Sequence, residues 1–163
     1  MNRPIFFVIF ISMVALTVST PAPTQDYGQA KVNPATLAEQ DLAAESSGDV
    51  AAALALYSDD ARVLYGGYCW TPCVGKAAIK GELERRVAAK NKWKIIGKYV
   101  TGNIAVVQTE LQIGYIEKSG VDRVVVWCIY EVVGDKIAAV TTAGQLTDPQ
   151  TARFVAWSKT QTN

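Results

Sequence analysis

The chain has 163 residues, half of them apolar, which is the size of one domain with a substantial core. Sixteen Lys and Arg stand against 15 Asp and Glu, with no basic stripe or acidic tail, so a phosphate-tracking nucleic-acid surface is not expected. Histidine is absent, which excludes Ser-His and Cys-His nucleophile pairs and removes the commonest metal ligand. Acid–base work would fall to Asp, Glu, Tyr, Lys or Cys.

The first 22 residues read as a secretory signal. Arg3 precedes an apolar run over residues 5–18, which is short for a membrane span and fits an h-region followed by small residues. Loss of 1–22 removes Arg3 and leaves 15 charges of each sign. The expected location is secreted or periplasmic, with no stable membrane insertion after cleavage; an uncleaved N-terminal anchor is the alternative. The run does not end in a cysteine, so lipid anchoring is not expected. Residues 23–32 read as a polar linker, 33–158 as the domain and 159–163 as a tail.

"NPATLAEQDLAAESSGD" opens with Asn33 as an N-cap and Pro34 at the first helical position. Asp49 caps a second helix, with Val50, Leu54 and Tyr57 on one face. "SDD" breaks that pattern, and "ARVLYGG" is a strand. From Gly75 a third helix carries Ile79, Leu83 and Val87 on one stripe, with Lys80, Glu84, Arg85 and Arg86 largely off it.

After Asn91 the period changes to two. "KWKIIGKYV", "NIAVVQTELQIGYIEK", "VDRVVVWCIYEVV" and "DKIAAVTTAGQL" predict four strands on short turns, hence antiparallel. In the second of these, Val107, Thr109, Leu111, Ile113 and Tyr115 point one way, and Gln108, Glu110 and Gln112 the other. "DPQTARFVAW" offers an Asp-Pro helix start. The fold class is α+β, with three N-terminal helices packed on one face of a curved, mostly antiparallel sheet.

"SSGDVAAALALYSDDARVLY" followed by "CVGKAAIKGEL" resembles the SnoaL-like branch of the nuclear transport factor 2-like superfamily. The carrying residues are Gly48-Asp49, Tyr57, Asp59 to Ala61, and Val74-Gly75-Lys76 with Ile79. The resemblance spans roughly residues 33–157 and implies a cone, with a deep apolar pocket between a bent sheet and a long helix. It also implies a wide range of activities, so the reaction must be argued from the residues.

Ketosteroid isomerase-like members of that fold use a tyrosine, a carboxylate base and a protonated aspartate. The matching positions here hold Asp41, Tyr65 and Trp127, so that mechanism is not supported. An epoxide hydrolase Asp-Arg-Asp set is not supported either, because Asp122 and Arg123 are adjacent and point to opposite faces of a strand. The expected ligand-binding residues are Tyr57, Tyr65, Trp70, Thr109, Arg123 and Trp127, with Asp41 and Tyr65 as the weak catalytic candidates. Tyr65 and Trp127 are expected on the inner faces of the first and fourth strands. Asp41 is open to two readings, a solvated helix residue or a buried charge beside Arg123. Tyr57 and Trp127 also read as core fillers, and Arg123 as a solvated strand end.

Three cysteines without histidine do not make a closed zinc site, and Cys69-x₃-Cys73 is one residue longer than a redox C-x₂-C. No metal or cofactor is expected. In an exported chain, Cys69 and Cys73 are expected to form a local disulfide that fixes the rim loop, with Cys128 a buried thiol. A bridge from either to Cys128 is the minor alternative.

Three functions compete. One is an exported module that binds a small apolar molecule. Another is an isomerase-, cyclase- or hydratase-type enzyme using Asp41 and Tyr65. The last is a ligand-free protein that pairs through its sheet as a homodimer, with Val124, Val126, Cys128 and Tyr130 as part of the surface.

Overall fold

A computed structural model describes residues 29–65 and 72–161. The signal and most of the linker, Trp70 and Cys69 fall outside these residues, and the expectations placed on them are not addressed by the structure.

Local chemistry starts the helices where the sequence predicts. Asn33 accepts a hydrogen bond from the Ala35 amide at 2.9 Å, and α1 runs Pro34–Ser47. Gly48 ends it at φ 85°, in the left-handed region where a side chain would be strained. Asp49 accepts from the Ala52 amide and starts α2, Val50–Ala55. The third helix, α3, is Gly75–Ala88. A fourth, α4, is Pro149–Thr160, capped by Asp148, which accepts from both the amide and the hydroxyl of Thr151.

The strands are β1 Tyr57–Tyr65, β2 Cys73–Val74, β3 Lys92–Thr101, β4 Ile104–Gln112, β5 Val124–Val133 and β6 Lys136–Gly144. They form one sheet in the order β2-β1-β6-β5-β4-β3. Among these strand pairs β1–β6 alone is parallel, and an isolated parallel bridge joins Ala30 to Gly134. Bulges fall between Tyr57 and Arg62, Ile95 and Gly97, and Glu131 and Val132. Each adds local bend and twist, which lets the sheet curl over the helices.

Two boundaries depart from expectation. Tyr57 does not close the second helix; it begins β1 opposite Ile137, and "SDD" lies in the bulged stretch after it. β4 stops at Gln112 instead of continuing through Lys118. A 3₁₀ turn, Ile116–Ser119, takes up the remainder.

The core lies between the inner sheet face and α1 and α3. Leu37, Ala38 and Leu42 from α1 and Ile79 and Leu83 from α3 cover Val63, Val107, Tyr130, Val132 and Val140. Alternation along β5 is the reverse of that expected. Val124, Val126, Cys128 and Tyr130 face inward, whereas Trp127 and Ile129 lie outward, 37% and 40% exposed. The inward set is therefore core and not a pairing surface, and Trp127 is not a cavity wall.

An outward ring leaves little void when removed. Trp127→Ala should cost about 1–2 kcal/mol, below the ~3–5 kcal/mol of a buried aromatic. Chemical denaturation checks this; a loss in the higher range would return Trp127 to the core.

Candidate functional site

The sequence places Asp41 and Glu45 one turn apart on α1, and Glu82 and Arg86 one turn apart on α3, spacings that put each pair on a common face. In the structure these faces meet. Arg86 is 4% exposed, and its Nη1 donates to Glu45 Oε1 at 2.6 Å while its Nε donates to Glu82 Oε1 at 3.0 Å. Trp93 Nε1 donates to Glu45 Oε2 at 2.9 Å, and Arg85 Nε donates to Glu82 Oε2 at 2.9 Å. The Arg86 guanidinium also stacks 3.0 Å above the Tyr65 ring. Sequence patterning set Arg86 off the apolar stripe of its helix; burial follows from its two carboxylate partners.

This network forms the polar end of a cavity of about 100 Å³. Tyr65, Glu82, Arg85, Arg86, Asn91 and Trp93 line that end. Leu111 and Ile113, with Val124 and Val126 of β5, make an apolar wall, and Phe154 and Val155 of α4 contribute another side. Asn91 is 8% exposed, and its Oδ1 has no hydrogen-bond partner among the described residues.

Asp41 lies on the other side of Glu45, fully buried and outside the cavity wall. Its Oδ2 accepts from Tyr57 Oη at 2.9 Å and from Tyr130 Oη at 3.0 Å, while Oδ1 has no partner. Burial, reinforced by the Glu45 charge, pushes its pKa up to about 8 against the opposing pull of Arg86 and the two phenols. The carboxyl is thus protonated at neutral pH. Both phenols are raised well above 10, chiefly by burial and then by Asp41. Cys128 is a buried thiol pushed up to about 12 by burial, which leaves it inert near neutrality.

The predicted site residues scatter. Tyr65 lines the cavity, and Tyr57 serves Asp41. Thr109 is buried and donates to the Val126 carbonyl at 3.2 Å, tying β4 to β5. Arg123 does not reach Asp41. It bridges Glu110 and Asp148, at 3.1 Å each, on the side of the sheet away from that carboxyl. Asp41 and Tyr65 share no hydrogen bond in the structure, because Arg86 covers the tyrosine ring and other phenols hold the aspartate. Sequence reasoning missed Glu45, Glu82, Arg86, Asn91 and Trp93. The i, i+4 pairs were a visible signal; Asn91, at a helix-to-strand junction, offered none.

No family model matches the chain, and no curated protein matches it. Solved structures do. A nuclear transport factor 2-like protein of unknown function from Cytophaga hutchinsonii superposes with a TM-score of 0.58 at 11% identity, covering 72% of this chain and 95% of that one. SalBIII, an epoxide hydrolase/cyclase-like enzyme with a role in pyran ring formation in the polyether salinomycin, gives 0.60 at 16%, covering 71% and 92%. A putative ketosteroid isomerase from Kribbella flavida gives 0.56 at 18%, covering 68% and 76%. The fold is that of nuclear transport factor 2-like proteins, as the resemblance implies. At these identities the likeness is one of fold.

Two consequences are measurable. Arg86→Met strands Glu45 and Glu82 without their shared cation and should destabilise the protein by about 3–5 kcal/mol; equilibrium unfolding reads this directly. The second concerns Asp41, whose folded value of about 8 lies above its ordinary 3.8. Between these values the folded chain holds a proton that the unfolded chain releases, so this group's contribution is full below pH ~4 and is lost as pH rises toward 8. Asp41→Asn keeps the acceptor for both phenols without the proton, so melting temperature should fall less steeply from pH 5 to 9 than in the wild type. An unchanged slope would place the titration elsewhere.

Proposed function

We propose that this protein is a binding module for a small, neutral, largely apolar molecule held between α3, α4 and the inner face of the sheet. The observation that carries the reading is the pairing of the charges at the cavity's polar end. Every carboxylate oxygen of Glu45 and Glu82 already accepts a hydrogen bond from Arg85, Arg86 or Trp93. A charged ligand would enter a low-dielectric space whose counter-ions are already engaged, and would forfeit its hydration without a partner. A neutral molecule meets apolar wall and aromatic edge, the usual composition of a small-molecule site.

An enzyme of isomerase, cyclase or hydratase type is the alternative. The acid–Arg–acid set of Glu45, Arg86 and Glu82 is the feature that favours it, and SalBIII shares the fold. Binding is preferred because those carboxylates are engaged and because Asp41 sits behind them, outside the cavity wall.

Export through residues 1–22 and a Cys69–Cys73 disulfide belong to the proposal. They rest on the sequence, and intact-mass measurement of material from the native source tests both.

The binding test is native mass spectrometry of protein purified from its source. A retained neutral small molecule is expected for the wild type, and its loss in Val126→Phe, which fills the apolar wall, while the far-ultraviolet spectrum is unchanged. Wild-type protein that carries nothing and gains no thermal stability from any neutral apolar compound would overturn the reading.

Pairing through the sheet is compatible with this reading and has its own observation. Tyr99, Val106, Ile129, Thr141 and Leu64 lie directly opposite one another across β3, β4, β5, β6 and β1. Tyr99, Ile129 and Leu64 are 65%, 40% and 36% exposed, so the outward row is apolar except where Thr141 interrupts it. If a second copy covers it, the wild type should sediment as a dimer and Ile129→Lys as a monomer; a monomeric wild type removes this reading.

A further inference from the structure

The acceptors around this cavity are engaged or covered. The carboxylate oxygens of Glu45 and Glu82 accept from Arg85, Arg86 and Trp93. Thr151 Oγ1 accepts from the Val125 amide at 2.8 Å and donates to Asp148 Oδ1 at 2.9 Å. At Asn91 the acceptor, Oδ1, is the covered atom.

The donors are placed differently. A guanidinium carries N–H groups on three nitrogens, and Arg86 commits two of them, Nε to Glu82 and Nη1 to Glu45. Its Nη2 bonds none of the described residues and is not sealed in protein. The residue is 4% exposed and lines the cavity. Asn91 is 8% exposed and lines it too, and with Oδ1 covered the amide nitrogen is the uncovered end of the side chain. Tyr65 and Thr142 add hydroxyls to the wall, and a hydroxyl can donate as well as accept. The polar groups left to meet a ligand are thus donor-only nitrogens and hydroxyls. They carry no net charge, because the cations Arg85 and Arg86 are balanced by the carboxylates Glu45 and Glu82.

We propose that the cavity selects a neutral molecule whose polar end is a carbonyl, such as a small ketone, ester or lactone. Its oxygen accepts from the donors of Arg86 and Asn91, and its apolar body lies against Val124, Val126 and Phe154. A hydrocarbon strands those donors. An ammonium brings donors to donors. A carboxylate adds a charge to a set that is already balanced. This inference rests on the binding reading above and adds to it a functional group and the residues that hold it.

The test uses the full chain and four probes built on one ring: cyclohexanone, methylenecyclohexane, cyclohexylammonium and cyclohexanecarboxylate. The first two differ only in that a CH₂ group replaces the carbonyl oxygen. Binding is read by displacement of a fluorescent apolar dye and by shift in melting temperature. Cyclohexanone should bind about tenfold tighter than methylenecyclohexane, the equivalent of one hydrogen bond, and tighter than either charged probe. Infrared difference spectra of bound, carbonyl-labelled cyclohexanone should place its stretching band below the position in an alkane solvent, because a donor weakens the C=O bond. Arg86→Met is the direct deletion but is expected to loosen the fold, so these wild-type measurements carry the test. Asn91→Leu, which replaces the amide by an apolar group of similar size, should reduce the ketone's advantage over methylenecyclohexane.

The outcomes separate the two levels of the argument. If cyclohexanone and methylenecyclohexane bind equally and the carbonyl band stays at its alkane position, the cavity is a binding site but its donors do not select the ligand. A ketone advantage untouched in folded Asn91→Leu overturns the part given to that residue. Tightest binding by the ammonium or the carboxylate overturns the choice of a neutral molecule. If none of the four binds, the binding reading falls and this inference falls with it.

Discussion

The arrangement depends on one buried guanidinium. Arg86 cannot be taken from water without carboxylate partners, and it has one from its own helix and one from α1. Satisfying it therefore sets the separation of α1 and α3, and with it the depth of the space beneath the sheet. The same group covers the ring of Tyr65 at the end of β1, and the Glu45 it holds also docks the indole of Trp93 at the start of β3. Four elements are thereby referred to a single cation. A lysine in its place would offer neither the forked donors nor the flat face.

Spending that cation on Glu45 and Glu82 has an effect one turn away. Asp41 lies within the same buried environment but is bonded only by phenols, whose hydrogen bonds help a carboxylate less than burial and the Glu45 charge harm it. The group gives up its charge instead of acquiring a counter-ion. This resolves the choice left open by the sequence between a solvated carboxylate and one paired with Arg123. It is neither: it is a buried neutral acid that links α1 to β1 and β5.

Where sequence reasoning worked, a local device was present. Asn33-Pro34, Asp49 and Asp148-Pro149 are caps whose side chains act on the next amides, and each helix starts there. β4 alternates cleanly between polar and apolar residues, so its faces were assigned correctly. β5 has no such contrast: Val125, Trp127 and Ile129 are as apolar as Val124, Val126 and Cys128. Its orientation is decided by β4, through the Val107–Cys128 and Thr109–Val126 pairs. That register could not be read from the sequence, because the β4–β5 connection is a 3₁₀ turn with flanking residues and not a two-residue hairpin that would fix it. The site was less legible than the fold for a related reason. Arg86, Glu45 and Trp93 belong to three elements far apart in sequence, and their meeting is a tertiary event.

The site and the fold also differ in how much the neighbouring structures can say. A cone of this kind is compatible with proteins whose described chemistries differ, including a putative ketosteroid isomerase and an epoxide hydrolase/cyclase-like enzyme. What a given chain does must come from the side chains that close its cavity. Here the charges close on each other, the wall from Leu111, Val124 and Val126 is apolar, Thr142 of β6 adds one hydroxyl, and α4 lays Phe154 and Val155 along the remaining side. With ionic recognition already satisfied inside the protein, discrimination is left to shape and to uncharged hydrogen bonds. A hydrophobic wall distinguishes one extra methylene only weakly, whereas a site built to hydrogen-bond a ligand group rejects an analogue lacking it more strongly. The chemistry of this cavity therefore concentrates at its polar end, in the residues between the last turn of α3 and the first residues of β3.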